Sequence, residues 1–274
     1  MQLAIGIILA ALVGLAAWRA GSLSRSGAWA ATITGGLIFG IGGAPWAVLL
    51  LAFFISSSML SHAFKQRKAA LQEKFSKGHR RDWAQVLANG GLGALLAAAY
   101  GLFPDWIWLY WPAFAGAMAA VNADTWATEL GVLNPTPPRL ITNGQTVERG
   151  TSGGVSLVGS LAALGGAGLV ALLAAGFTRW EAQGAPGQPL LVLVGAWLGG
   201  AAGSFFDSLL GATVQSIYYC PRCQKETERH PVHLCGEQTT YLRGLRWINN
   251  EVVNFGASLM GALLAAGIVY WLDA

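Results

Sequence analysis

Asn122-Ala-Asp-Thr-Trp-Ala-Thr-Glu-Leu-Gly131 closes an apolar run that begins near Trp106. It places two carboxylates, Asp124 and Glu129, at the end of a stretch otherwise suited to hydrocarbon. A charge at the centre of a membrane helix costs about 2.5–3.5 kcal/mol or more, so an ionisable residue there is first of all a functional candidate. A second apolar run, from Leu190, ends in the same way with Gly203-Ser-Phe-Phe-Asp-Ser-Leu-Leu-Gly-Ala-Thr-Val-Gln215. We read the two runs as helices that deliver Asp124 and Asp207 to one side of a membrane.

The rest of the composition agrees. Of 274 residues, 54% are hydrophobic and only 11% are charged, against about 25% charged in a soluble domain. Mean hydropathy is +0.49. The fold class expected is all-α, a polytopic membrane protein forming a single transmembrane domain over 1–274, because no long polar linker divides the runs. The 37 glycines suit close helix packing in lipid. The first run, Met1 to Ala17, carries no leading positive charge and no clear cleavage site, so it reads as a retained helix, not a signal peptide. The net charge of +4 reports which way the loops face and does not indicate nucleic acid.

Eight spans are expected, at about 2–18, 28–43, 45–61, 84–103, 106–129, 153–176, 189–213 and 250–271. A straight helix needs about 20 residues to cross the hydrocarbon core. The second and third spans are short and glycine-rich, and a re-entrant pair is their alternative reading. Cytoplasmic loops gather Lys and Arg. With the 61–82 loop inside, sixteen of the seventeen basic residues are cytoplasmic, and only Arg179 lies outside. Both termini are then outside a prokaryotic plasma membrane. The polar motifs all fall at inner span ends, which points to one cytoplasmic-facing site.

Each motif has a chemistry and a plainer alternative. Asp124 and Asp207 are carboxylates of the kind that holds Mg²⁺ beside substrate phosphates. Their alternative is structural hydrogen bonding between helices. Glu129 follows Asp124 by five residues, about 140° further round a helix, and is a further Mg²⁺ candidate. Gly150-Thr-Ser-Gly-Gly154 precedes a span. Its glycines, with Thr151 and Ser152, suit a phosphate cradle at a helix N-terminus. It lacks the Lys-Ser/Thr ending of a P-loop, and its alternative is a helix cap by Thr151 or Ser152. Ser61 and Lys65 share a face at i,i+4. Lys65 is expected to neutralise a phosphate, the alternative being charge drawn to anionic lipid. The later cations, Lys74 to Arg81, read as solvated or lipid-facing. Asn250 and Asn254 share a face at the start of the last span and can orient a nucleotide or a metal ligand, while Asn249 is placed to cap the helix.

The segment 216–247 differs in character. It holds Cys220-Pro-Arg-Cys-Gln-Lys-Glu-Thr-Glu-Arg-His-Pro-Val-His-Leu-Cys-Gly236 and with it all three cysteines of the chain. A Cys-x-x-Cys followed by His and Cys fits a tetrahedral Zn²⁺ site. The expected ligands are Cys220, Cys223, Cys235 and either His230 or His233, with His233 preferred for its closeness to Cys235. The site would be structural, a zinc-knuckle-like cytoplasmic loop, since four ligands close the shell. A disulfide is disfavoured on the cytoplasmic side.

Taken together and in this order, Asn122–Gly131, Gly150–Val155, Asp207–Gln215 and Asn249–Asn254 resemble the transmembrane protein 19 family, catalogued as a domain of unknown function. The resemblance covers nearly the whole chain. The family includes phytyl-phosphate kinases of plants and cyanobacteria. It is distantly similar to CTP-using polyprenol kinases and to phosphatidate cytidylyltransferases. The resemblance implies phosphoryl transfer from a nucleoside triphosphate such as CTP to a prenyl (phytyl-like) monophosphate at the membrane surface, with Mg²⁺. Residue by residue it points to Asp124 and Asp207 with their neighbours Asn122, Thr125, Ser208, Gly211 and Gln215. The cysteine segment is not part of the family pattern.

Phosphoryl transfer needs mainly positioning and charge neutralisation, and the motifs supply both. The competing readings are a transporter or flippase for a phosphorylated isoprenoid lipid, and a CTP-dependent cytidylyltransferase. Transporters tend to show repeated halves and polar residues at the midplane. Here the polar motifs gather at one face. The expected partners are an isoprenoid lipid phosphate and membrane lipids. The oligomeric state is open, a homodimer included.

Overall fold

The computed structural model describes residues 1–64, 74, 80–180 and 188–273. It holds seven long helices: α1 Gln2–Arg19, α2 Arg25–Ala63, α3 Trp83–Leu102, α4 Ile107–Gly131, α5 Leu157–Trp180, α6 Pro189–Thr213 and α7 Asn250–Asp273. Among the described residues, six of them are long and apolar enough to cross a membrane, α4 being the exception.

The packing is that of a protein in lipid. On α1 only Gly6, Gly14 and Ala17 are buried, while Ile5, Ile8 and Leu12 point outward. Leaving large apolar side chains outside and small ones inside is unfavourable in water. In lipid the small residues let backbones approach.

The α4 helix explains itself by its neighbours. Every residue from Trp111 to Ala123 is buried, because α2, α3, α5, α6 and α7 all pack on it. Its centre, Phe-Ala-Gly-Ala-Met-Ala-Ala, is small enough to allow this. A Cβ on Gly116 would strike the carbonyl oxygen of Gly261 on α7. A helix enclosed on all sides has no lipid face to keep strongly apolar.

The expected second and third spans fall within α2, which runs for 39 residues and breaks at Gly43 (φ +81°), with Pro45 just after. Its two arms return to one level. The Arg81 carbonyl accepts a bond from Ser24 N–H at the start of the first arm. The Arg81 guanidinium reaches Ser57 and Ser58 near the end of the second.

The opposite end of the bundle is aromatic. Trp46 stacks on Tyr100 at 5.8 Å and meets Phe114 at 4.4 Å, and Trp108 stacks on Tyr270 at 5.7 Å. Trp106, Tyr270 and Trp271 there are exposed, as aromatic side chains at a membrane interface are.

The described residues are mostly helical, as expected, with two small antiparallel sheets added at the polar end. One pairs β1 (Arg139–Leu140) with β2 (Gly154–Val155). The other, in the cysteine segment, has the order β4-β3-β5, from β3 Ile217–Cys220, β4 Lys225–Thr227 and β5 Thr240–Arg243. The sixth expected span starts at Leu157, not 153, because Gly154 and Val155 are taken up in β2. Ser156, not Thr151 or Ser152, caps that helix, accepting from Gly159 N–H at 3.2 Å. Lastly, Lys74 and Arg81 are neither solvated nor lipid-facing. Lys74 is buried and pairs with Glu148 at 2.7 Å, and Arg81 lies in the interior described next.

Candidate functional site

A cavity of about 340 Å³ opens at the polar end of the bundle. Ser61 reaches it from the end of α2, and Asp124, Thr125 and Glu129 from the last turns of α4. Residues 150–154 form one wall. The α6 helix contributes Asp207, Ser208 and Gly211, followed by Gln215, and α7 contributes Asn250 and Asn254. Five motifs spread over about 190 residues of sequence thus line one space, because each lies at the same end of its helix.

One expected residue is placed otherwise. Asn122 is fully buried, two residues before Asp124 and about 200° round the helix from it. Its amide donates to Gly166 O at 2.8 Å and accepts from Ser56 at 3.0 Å, tying α4 to α5 and α2. Lys65 lies outside the described residues. Asn249 caps α7 as expected, accepting from Val252 N–H at 3.0 Å.

The acids differ in their surroundings. Asp207 interacts electrostatically with Asp124 and with Glu228. Its Oδ2 is buried and makes no hydrogen bond among the described residues. A buried carboxylate oxygen without a donor is costly, and a cation relieves that cost. The site therefore fits Mg²⁺, with Asp124 and Asp207 as the carboxylates to hold it. Glu129 is engaged differently. Ser61 donates to its Oε1 at 2.6 Å, and it lies in the field of Arg81.

Three charged residues of the site went unmarked in the sequence. Arg81 lines the cavity with its guanidinium held by Ser57 at 2.9 Å and Ser58 at 3.3 Å. Burial lowers its pKa to about 10, with Glu129 opposing the shift, so it stays cationic at neutral pH. Arg149 lines the cavity and anchors to the carbonyls of Asn134 and Pro135 at 2.7 and 2.9 Å. Glu228 enters from the cysteine segment and accepts at one oxygen from Ser152 at 3.0 Å and from Gln215 at 2.9 Å. No local pattern announces these contacts. All three residues lie in connections between helices.

The 150–154 wall owes its shape to Gly153. Its φ is +85°, and a Cβ there would lie 2.5 Å from Ala212 Cβ and 2.6 Å from Ala212 N. The turn is pressed against the C-terminal end of α6, and Gly153 O accepts from Ile141 N–H at 3.0 Å. Only glycine combines that dihedral with that approach.

Beside the cavity, Cys220, Cys223, His233 and Cys235 place one ligand atom each within 4.8 Å of all the others, among the described residues the one such cluster. Two turns present them. Cys220 and Cys223 flank the β3–β4 turn, where Gln224 N–H bonds Cys220 O. His233 and Cys235 flank a turn closed by Gly236 N–H on His233 O. His230 instead stacks on Tyr218 at 4.4 Å. The His233 hydrogen bond pulls the Cys235 thiol down to about 6, while its bond to Cys235 pushes the Cys223 thiol up to about 11. Three sulfurs and one imidazole nitrogen this close together are a donor set able to hold a metal ion.

A bundle of apolar helices with polar motifs collected at one end is an integral membrane protein. The chain belongs to the family described as integral membrane protein DUF92, whose family model matches residues 8–262, in keeping with the transmembrane protein 19 resemblance. It is similar to "Protein PGR" of Arabidopsis thaliana, 31% identical over 97% of this chain and 95% of that one. It is also similar to "Uncharacterized membrane protein MJ0933" of Methanocaldococcus jannaschii, 32% identical over 77% of this chain and 83% of that one. "Uncharacterized membrane protein sll0875" of Synechocystis is 28% identical over 83% and 75%. No solved structure matches the chain significantly.

Proposed function

We propose that the chain is a membrane-embedded phosphotransferase that converts a prenyl, phytyl-like monophosphate to its diphosphate with a nucleoside triphosphate such as CTP and Mg²⁺. The observation that supports this best is the cavity itself. One space at the helix ends offers four acids, Asp124 and Asp207 among them, two arginines and a glycine turn, the parts phosphoryl transfer needs.

In this reading both arms of α2 and the enclosed α4 cross the bilayer, giving eight crossings. The termini and the aromatic end face outward, and the cavity faces the cytoplasm, where positive loops belong. The acceptor slides in from the bilayer and the nucleotide comes from solution. Arg81 and Arg149 neutralise phosphate oxygens, and donors of the 150–154 turn orient the donor's chain. Asp124 and Asp207 would hold Mg²⁺, which when bound would supply positive charge to offset that of the phosphates. A phosphate oxygen of the lipid forms the new bond to the terminal phosphorus, and the bond from that phosphorus to the bridging oxygen breaks, releasing the nucleoside diphosphate. The acceptor is already ionised, so no protein nucleophile is needed. Zn²⁺ on Cys220, Cys223, His233 and Cys235 is structural.

The experiment is a product assay on purified protein with Mg²⁺, geranylgeranyl or phytyl monophosphate, and CTP or ATP in turn, read by mass spectrometry. A lipid diphosphate is the expected product. A CDP-linked lipid would make the protein a cytidylyltransferase. Lipid-phosphate binding without turnover would point to transport.

A further inference from the structure

The cysteine segment lies beside the site and also holds part of its wall. Its base is fixed to the end of α6. Ser216 N–H bonds Ile248 O at 2.7 Å, and Leu245 N–H bonds Val214 O at 2.8 Å. Arg243 donates to the carbonyls of Gly211 and Ala212 at 3.1 and 3.0 Å. From this base β4 leads directly to Glu228, five residues after Cys223 and seven before Cys235. The Glu228 carboxylate joins Ser152 of the glycine turn to Gln215 after α6. Its backbone N–H donates to Lys74 O at 2.8 Å, and Lys74 Nζ grips Glu148, two residues ahead of Gly150. The turn is therefore held within itself and on its N-terminal flank by contacts that converge on residue 228.

We propose that Glu228 is a positioning residue and that metal bound at the Cys/His cluster sets the 150–154 turn through it. The four ligands fix the two turns on either side of Glu228, and Glu228 fixes Ser152. Losing the metal frees both turns and with them the wall of the cavity. That the wall binds phosphate rests on the function proposed above, whereas the coupling of metal to wall does not.

The test is hydrogen–deuterium exchange on the full-length protein in detergent, following the peptide that spans 141–155, with zinc content measured on each sample. The amides of Ile141, Thr151 and Gly154 are hydrogen-bonded in this region, so the peptide reports the turn. Three samples are compared with zinc-loaded wild type: wild type stripped by a chelator, Glu228→Ala, and Glu228→Gln. We expect about tenfold faster exchange after stripping, the scale of losing one or two hydrogen bonds. Glu228→Ala should show the same loss with zinc retained. Glu228→Gln keeps an acceptor oxygen and should stay within about twofold of wild type. Unchanged protection in stripped protein or in Glu228→Ala overturns the proposal, as does failure of the protein to take up zinc. Equal loss in both Glu228 variants overturns the acceptor role. If exchange behaves as expected and no phosphotransfer is detected, the reading of the cavity fails and the coupling stands.

Discussion

At the scale of single residues, the site is decided by where charge is buried. Asp207 has a buried oxygen with no donor among the described residues and interacts with two further acids. Removing such a charge relieves the fold and ruins the site. Asp207→Asn is expected to raise the melting temperature by a few degrees in the absence of Mg²⁺, by removing an uncompensated buried charge. It should also abolish any further rise when Mg²⁺ is added. Differential scanning fluorimetry with and without Mg²⁺ checks both. An unchanged Mg²⁺ response would remove Asp207 from the metal site. Arg81 is the reverse case, a half-buried cation lining the cavity, whose two serine partners and neighbouring Glu129 leave it compensated. Arg81→Ala leaves Glu129 buried without that cation and should cost about 3 kcal/mol. Denaturation of Arg81→Ala, Glu129→Ala and the double variant should show a coupling of about 1 kcal/mol or more, and additive losses would refute it.

At the scale of elements, what a linear pattern can show separates from what it cannot. The helices were legible, because apolar runs of membrane length end in polar groups. The expected 189–213 span coincides with α6, and the expected 250–271 span falls within α7. The cysteine spacing was legible too, since metal ligands must sit close together on tight turns. The strand Ile217-Tyr-Tyr-Cys220 was signalled by its β-favouring residues and passed over. Arg81, Arg149 and Glu228 were not legible. Their role comes from contacts across about 13 to 76 residues of chain. The break at Gly43 and the turn at Gly153 both need positive φ, and a sequence shows the glycine without showing which glycine is used. Gly153→Ala joins a strained dihedral to a clash with Ala212. It should lose nucleotide affinity by about tenfold or more while the far end of the bundle stays intact. Binding isotherms and near-ultraviolet circular dichroism measure the two, and unchanged affinity would show that the turn does not touch ligand.

At the scale of the whole molecule, the asymmetry between the two ends is the organising fact. Basic residues gather at the cavity end, and the proposed reading turns that end to the cytoplasm by the positive-inside rule. Single cysteines introduced at Gln2 and at Asp273 in a cysteine-free background should react with an impermeant reagent from outside intact cells. One at Asn143, which is exposed in the turn after β1, should react only after the membrane is opened. Labelling of Asn143→Cys in intact cells would invert the topology. The cavity then would face the wrong compartment for a cytoplasmic nucleotide.

The central claim is that this cavity transfers a phosphoryl group with Asp124 and Asp207 at its centre. The most direct measurement is turnover by purified protein in lipid nanodiscs, with geranylgeranyl monophosphate, Mg²⁺ and CTP, for wild type, Asp124→Asn and Asp207→Asn side by side. We predict that wild type forms the diphosphate and that each variant, still folded, loses at least about a hundredfold in rate, the scale on which removing one group that stabilises transition-state charge acts. Full diphosphate formation by either variant would contradict the account.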